Sequence, residues 1–185
     1  MASRTEMREF VSRFQGAGRR TTNGEEGAQL VELAFALPIL LLFLLGIVSF
    51  GGAFEQRNKM AIAIREGARL AASESTLDLN QAAPLSIDAI RAVVQNALQS
   101  DGLNCVIDTG PSPSGTLQWT YTSSGCANLS LVINRGYTTA TGGVTYEGTQ
   151  VQLTYPYSWT FASFLGGLGV LPQTLFVQAT VMNAP

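Results

Sequence analysis

The sequence predicts an α+β fold in which a long N-terminal transmembrane helix continues as a stalk and carries a small extracytoplasmic head. Residues 33–54 form a run of 22 residues without a charged side chain. Residues 86–99 have the apolar spacing of one further helix, and the chain beyond residue 100 alternates with a period of two. We therefore expect a leader over residues 1–27, the transmembrane helix and stalk over 28–75, and an α+β head with an antiparallel sheet over 76–185.

The charge-free run, LAFALPILLLFLLGIVSFGGAF, predicts a single membrane span. At ~1.5 Å per residue it would be ~33 Å long as a helix, enough to cross a hydrocarbon core of ~30 Å. A cleaved secretory signal is the alternative, but its apolar part is normally ~7–15 residues. Cations flank the run on both sides, so the positive-inside rule does not orient it.

The two cysteines, Cys105 and Cys126, lie in a part of the chain that is poor in charge and rich in Ser and Thr. Such a pair fits a disulfide in an oxidising compartment, which would place the head outside the cytoplasm. The bond would close a loop of roughly 20 residues, worth ~3 kcal/mol by the chain-entropy model. Two buried free thiols are the alternative.

The stalk and one further helix follow from helical spacing of apolar residues. Met60, Ile64, Ala68 and Ala71 recur at intervals of four, four and three, which continues the first helix to about residue 75. This stripe would pack either on the head of its own chain or on a partner helix. After a linker over residues 80–85, residues 86–99 predict an amphipathic helix.

Alternating apolar residues predict the strands of the head. They fall around Trp119, in residues 129–133, in 144–146, in 151–155 and in 175–181. Glu147-Gly148 reads as a hairpin turn between the third and fourth of these runs. We expect the resulting antiparallel sheet to pack against the helix over 86–99 and against the stalk.

Composition excludes most catalytic and nucleic-acid-binding classes. The 185 residues include 13 acidic and 11 basic side chains, no histidine and two cysteines, for a net charge of -2. No concentrated basic face is present for nucleic acid, and two cysteines without histidine cannot make a structural zinc site. No carboxylate pair or activated nucleophile is evident from spacing. We therefore predict no catalytic, cofactor or metal site.

Glu32 is the one ionisable residue between Ala28 and Phe54. A carboxylate at a membrane helix costs free energy, so it suggests a functional partner. If a peptidase cut after Gly27, the new amine of Ala28 would lie one helical turn from Glu32, in the same chain or in a neighbouring helix. The simpler interpretation is that Glu32 lies at headgroup level near the helix N-terminus, where the helix dipole favours a negative charge.

A charged leader ending in glycine, a glutamate five residues later and an unbroken apolar helix together resemble the type IV prepilin signal. The segment GAQLVELAFALPILLLFLLGIVSFGGAF, followed by REGARLAA at residues 65–72, is similar to the TadE-like family, the pilin-related proteins of tight-adherence (Tad) pilus systems. The resemblance covers about residues 24–72, and we recognise none in residues 73–150.

The resemblance implies that a prepilin peptidase cuts between Gly27 and Ala28, and that Glu32 guides the subunit into register during assembly. It implies a non-enzymatic minor pilin or pseudopilin that assembles, anchors or tips a Tad pilus and so supports adhesion. Its partners would be the peptidase, other Tad pilins and minor pilins, the inner-membrane assembly platform and membrane lipid. We expect it in the bacterial inner membrane or in a surface pilus. The alternative is a permanently anchored ligand-binding or adhesive head outside any filament.

Overall fold

The computed structural model of the chain describes residues 23–159 and 173–182. Most of the predicted leader, residues 1–22, lies outside this range. The elements are α1 (Asn23–Ser73), α2 (Leu85–Ser100), β1 (Thr109–Gly115), β2 (Gln118–Thr122), β3 (Ser130–Thr141), β4 (Val144–Pro156) and β5 (Thr174–Met182). The predicted α+β organisation, a long apolar helix followed by a head with one helix and an antiparallel sheet, is confirmed.

The described residues divide into two units, one before and one after the boundary between Leu44 and Leu45. The second unit contains the C-terminal part of α1 together with α2 and the whole sheet. In that unit the strands follow one another in space in the order β1-β2-β3-β4-β5, and every neighbouring pair is antiparallel. Sequential antiparallel pairing needs only short connections, as the tight β3–β4 turn shows.

The predicted hairpin turn at Glu147-Gly148 is wrong, because β4 runs through it without interruption. Glu147 pairs with Thr138 of β3, and Gly148 pairs with residues on both neighbouring strands. The turn lies instead at Gly142-Gly143, whose φ angles of 62° and 81° are the positive values that a two-residue hairpin requires. Gly148 is required by close packing instead of by a turn. A Cβ there would lie 2.5 Å from the carbonyl oxygen of Val181 on β5, too close for any side chain.

The sequence does not predict strand β1, because its residues, TGPSPSG, include two prolines and two glycines and show no apolar alternation. It pairs with β2 at the edge of the sheet, with register shifts along the pair. Proline is tolerated at an edge, where the missing N–H removes no central ladder bond. Pairing with β2 therefore explains why these residues form a strand, because their own side chains do not favour one.

The core lies between the two helices and one face of the sheet. The stripe on α1 that the sequence identified packs on the head of its own chain, which decides between the two alternatives left open above. Strands β2, β3 and β4 contribute alternate residues, as the period of two predicts. Among the described residues, the fully buried apolar side chains are Met60, Ala63, Ala71, Ile87, Ile90, Val94, Leu98, Ile107, Leu131, Ile133, Val151 and Leu153, with Ile64 and Tyr121 nearly so.

A close approach between α1 and α2 depends on Gly67. A Cβ at this position would lie 2.5 Å from Cγ2 of Val94 and 3.5 Å from Cγ2 of Ile90. Glycine weakens a helix by about 1 kcal/mol relative to alanine, so its presence here is a cost to α1. Packing of Val94 into the space that a side chain would fill compensates for that cost.

Buried Arg135 on β3 holds the end of α1. Its guanidinium donates hydrogen bonds to the backbone carbonyls of Ala71 and, at 3.0 Å, Glu74. Burial lowers the pKa of Arg135, partly offset by the charges of Glu74 and Asp78. The last carbonyls of a helix have no partner within the helix, so a buried cation is well placed to satisfy them.

Asp78 caps the start of α2 from outside the helix. The N-cap residue is Pro84, which makes no side-chain cap hydrogen bond. The Asp78 carboxylate instead accepts from the backbone N–H of Ser86 at 2.8 Å and from its hydroxyl at 2.7 Å. The pKa of Asp78 is lowered, first by the Ser86 backbone hydrogen bond. The connection between the helices is thus fixed at both ends by charged groups.

We predict that Gly67→Ala destabilises the head, although alanine is the better helix former. Overpacking against Val94 costs about 1–3 kcal/mol. In a Val94→Ala background the clashing methyl is gone, so Gly67→Ala should there be neutral or stabilising. Thermal unfolding of the full chain in detergent, followed by near-ultraviolet circular dichroism, measures both changes.

Gly125→Ala is the matched control, because a Cβ at Gly125 meets nothing within 4 Å. It should leave the unfolding midpoint nearly unchanged. Equal effects of Gly67→Ala in the wild-type and Val94→Ala backgrounds would contradict the close approach.

Candidate functional site

The N-terminal part of α1 presents an almost continuous apolar surface. Its large apolar side chains between residues 30 and 54 are exposed, from 39% at Leu45 to 75% at Phe35. Within the described residues, α1 is the helix long and apolar enough to cross a membrane, and only 6% of its most apolar window is buried. A surface of this size in water would drive association, so it requires lipid or other apolar helices around it.

Gly27 and Ala28 lie inside α1, which begins at Asn23. Both residues are exposed, and a Cβ at Gly27 would meet nothing within 4 Å. No tight turn or close packing in the described structure therefore requires glycine at this position. Glycine inside a helix nevertheless costs about 1 kcal/mol relative to alanine. A reason for Gly27 must come from something that acts on the chain rather than from its fold.

Glu32 is exposed on α1, one turn after Ala28. Residues four apart in a helix lie on the same face, so a charge on the nitrogen of Ala28 would be within reach of the Glu32 carboxylate. Among the described residues Glu32 forms no salt bridge. The arrangement leaves this carboxylate available to a cation, either on its own chain or on another helix.

An aromatic cluster attaches the end of β4 to α1. The Tyr157 hydroxyl donates a 3.1 Å hydrogen bond to the carbonyl oxygen of Ser49. The ring of Trp159 packs edge-on against Phe50 at 5.2 Å and against Tyr157 at 4.9 Å. Gly52 gives the Tyr157 hydroxyl its space, since a Cβ there would lie 3.2 Å from it.

Sequence reasoning missed this cluster, although the run YPYSW at residues 155–159 was a signal for it. Tyr and Trp combine an apolar ring with a polar group, and both are enriched where a membrane meets water. The head therefore contacts α1 within the charge-free run itself, before its end at Phe54.

Cys105 and Cys126 are joined by a disulfide, with their Cα atoms 5.8 Å apart. The bond ties the connection between α2 and β1 to the connection between β2 and β3. Cys105 is buried, and its backbone N–H donates to the Tyr155 hydroxyl at 3.2 Å. Gln95 of α2 donates a 3.4 Å side-chain hydrogen bond to the Cys105 carbonyl. The disulfide thus lies within a network that joins α2, β4 and both connections.

The described ranges, 23–159 and 173–182, contain no group of His, Cys, Asp or Glu side chains able to hold a metal ion. Several of the carboxylates there have structural partners. Asp78 caps α2, Asp88 binds Arg91 at 2.8 Å, and Asp108 accepts from Ser124. The Ser124 hydroxyl is the first cause of the lowered pKa of Asp108. These groups hold loops and helix ends in place.

A known family model matches part of the chain. Residues 27–69 match the family model described as TadE-like protein, which confirms the resemblance on this segment. No curated protein and no solved structure matches the chain. The matched segment contains Gly27, Ala28, Glu32 and the apolar surface, and it ends four residues before the end of α1. The likeness therefore concerns α1 and not the sheet of the head.

Proposed function

We propose that this chain, with its TadE-like N-terminal segment, is a minor pilin or pseudopilin of a Tad pilus. A prepilin peptidase removes its leader between Gly27 and Ala28, and the mature subunit enters the pilus or its membrane base through α1. The observation that carries the proposal is the family match over residues 27–69, which begins at the residue before the proposed cut.

The surroundings of Gly27 support processing at this bond. Its position is open, and the described fold has no use for a glycine there. A peptidase that tolerates little bulk before the scissile bond, as the family resemblance implies, supplies the missing reason. Because the bond lies within α1 in the intact chain, the peptidase would have to bind a locally unwound segment. A glycine lowers the cost of that unwinding.

The exposed apolar surface of α1 supports assembly through this helix. In the membrane it contacts lipid, and in a filament the same surface can pack against neighbouring helices. Without water to drive association, packing between helices in such a bundle depends on close fit and on polar pairs. Glu32, as the lone carboxylate of the run, supplies one such pair with the amine that cleavage creates on Ala28.

The disulfide of the head supports a location of the head outside the cytoplasm. The Cys105–Cys126 disulfide is the observation in favour, because structural disulfides persist in oxidising compartments. The anchor would then lie in the bacterial inner membrane before assembly. A permanently anchored adhesive head outside any filament would share these features, but it needs no cleavage of the leader.

The first prediction from this proposal concerns cleavage. Coexpression with a cognate prepilin peptidase should shorten the chain from 185 residues to 158, the difference being the 27 leader residues. Gly27→Leu should block the cut, because the side chain obstructs the peptidase. Intact-mass spectrometry of the membrane fraction measures both results.

Gly46→Leu is the control for that experiment. Gly46 also lies on α1 with nothing within 4 Å of a Cβ, so the same substitution there should leave cleavage unchanged. A full-length wild-type chain beside an active peptidase would exclude the prepilin assignment and favour the permanent anchor.

The second prediction concerns Glu32. Replacing it by alanine removes the partner of the Ala28 amine in an apolar helix bundle, and breaking a buried pair costs about 3–5 kcal/mol. Cleavage and insertion should persist, while mature Glu32→Ala fails to copurify with its pilus partners. If Glu32 only interacts with the helix dipole, the loss is ~0.3–1 kcal/mol and assembly survives.

Glu66→Ala is a matched control, because Glu66 is an exposed carboxylate of the same helix, paired with Arg69 at 3.5 Å. Copurification should be compared at equal membrane abundance. Equal recovery of Glu32→Ala and Glu66→Ala would exclude the pairing mechanism while leaving the family assignment in place.

The third prediction concerns the compartment of the head. In cells, Cys105 and Cys126 should resist alkylation until a reductant is added to the denatured protein. A reporter enzyme active only in the periplasm, fused after Pro185, should be active. Removing the bond with a Cys105→Ser, Cys126→Ser pair should destabilise the head by about 3 kcal/mol. An inactive reporter with both thiols freely alkylated would place the head in the cytoplasm.

A further inference from the structure

Cationic side chains follow the charge-free run on α1, and half of them are neutralised by neighbours. Lys59 lies 2.9 Å from Glu55, and Arg69 lies 3.5 Å from Glu66. Both are pairs within one turn of the helix, so they neutralise each other locally. These two cations need no partner outside the head.

Arg57 and Arg65 are different. Within residues 23–159 and 173–182 neither has a carboxylate partner, and both are exposed. They line one cleft of about 420 Å³ between α1 and the edge strand β5. The cleft also contains the polar side chains of Asn58 and Gln178, so its wall offers hydrogen-bond donors beside the two positive charges.

Two exposed phenylalanines form the apolar part of the same cleft. Phe54, the last residue of the charge-free run, is 66% exposed, and Phe176 of β5 is 49% exposed. The cleft therefore begins where the apolar surface of α1 ends. One end of it is apolar and continuous with the run, and the rest is cationic.

Arg57 lies at the level of lipid headgroups if the run crosses a bilayer. The headgroup layer on each side of the hydrocarbon is about 5–7 Å thick. Arg57 is three residues beyond Phe54, or ~4.5 Å along the helix axis. Arg65 lies ~16 Å beyond Phe54, so its charge lies on the aqueous side of the headgroup layer.

We propose that this cleft binds the headgroup of an anionic phospholipid, with the guanidinium of Arg57 on the phosphate, the charge of Arg65 attracting the headgroup from the aqueous side, and the acyl chain against Phe54 and Phe176. Guanidinium groups bind phosphate oxygens in pairs of hydrogen bonds. The lipid would hold the head against the bilayer surface until the subunit leaves the membrane. This inference rests on the membrane anchoring in the proposed function, and it needs neither cleavage nor a filament.

Position favours a lipid over a second protein. An acidic protein segment would be complementary to the two arginines, but it would not account for exposed rings that continue the membrane surface. A phospholipid matches both parts at once, since its phosphate and acyl chain are covalently joined in the order that the cleft presents. Arginines next to a membrane are attracted to anionic lipid leaflets by their positive charge.

The experiment measures lipid retention by native mass spectrometry. The full-length chain in neutral detergent is mixed with phosphatidylglycerol, and with phosphatidylcholine as the zwitterionic reference. Wild type should retain one phosphatidylglycerol in preference to phosphatidylcholine. The double variant Arg57→Gln, Arg65→Gln should lose about 5-fold in apparent affinity for each arginine removed. Added salt should weaken the wild-type binding, because screening reduces the attraction.

Two further variants make the test specific. Arg69→Gln removes an arginine from the same helix that lies outside the cleft, and it should retain the lipid as wild type does. A double Arg57→Lys, Arg65→Lys variant keeps the charges but loses the paired guanidinium hydrogen bonds, so its binding should fall between that of wild type and that of the double glutamine variant. Unchanged resistance of the head to proteolysis shows that each variant is folded.

Equal retention of phosphatidylglycerol by the Arg57→Gln, Arg65→Gln variant and by Arg69→Gln would overturn the proposal. Unchanged lipid retention with loss of self-association, measured by the mass of the complexes, would also overturn it and assign the cleft to a second copy of the chain. Neither result bears on cleavage after Gly27, so failure here is distinguishable from failure of the proposed function.

Discussion

The structure depends on the burial of one stripe of α1 in the core of the head. Met60, Ile64 and Ala71 are almost completely removed from solvent, and they contact α2 and the sheet in one continuous cluster. Burying such side chains contributes roughly 1.5–3 kcal/mol each for the larger ones. The head therefore has no complete core without the C-terminal part of α1. A helix that would otherwise be only a stalk is part of the domain that it carries.

The polar groups around this core act at the places where backbone groups would otherwise be unsatisfied. Arg135 reaches from β3 to the carbonyls at the end of α1, and Asp78 reaches from the interhelical connection to the first turn of α2. The Cys105–Cys126 bond fixes two connections that contain no regular structure. Each of these groups orients an element whose apolar face the core then buries. The hydrogen bonds of these polar groups and the packing of the apolar core thus favour the same arrangement of elements.

Function divides along α1 in the same way. The part that matches the TadE-like family includes the exposed apolar surface and Glu32, and it extends to residue 69 within the buried stripe. The exposed part can contact lipid or other helices, whereas the buried part joins the head. Between them lie the aromatic contact of Tyr157 with Ser49 and the cleft that contains Arg57. If the apolar part of α1 spans a bilayer, this transition lies where the chain passes from lipid to water, and both features suit that position.

The sequence by itself determined the features that depend on local pattern. The long apolar helix follows from 22 residues without charge. Helix α2 and the strands around Trp119, Leu131 and Val151 follow from periodicities that match one buried face. The TadE-like segment was likewise recognisable from contiguous residues. In each case a short stretch contains the whole signal, because neighbouring residues share one environment.

Tertiary structure alone decided what depends on residues far apart in the chain. Strand β1 has no propensity of its own and exists because β2 offers an edge, and Gly148 is glycine because β5 passes close to it. Tertiary structure also packs the stripe of α1 on its own head and brings Arg135 to the carbonyl of Ala71. It likewise forms the cleft between Arg57 and Phe176. Apart from the short β1–β2 hairpin, these contacts join residues separated by tens of positions, so no local pattern records them.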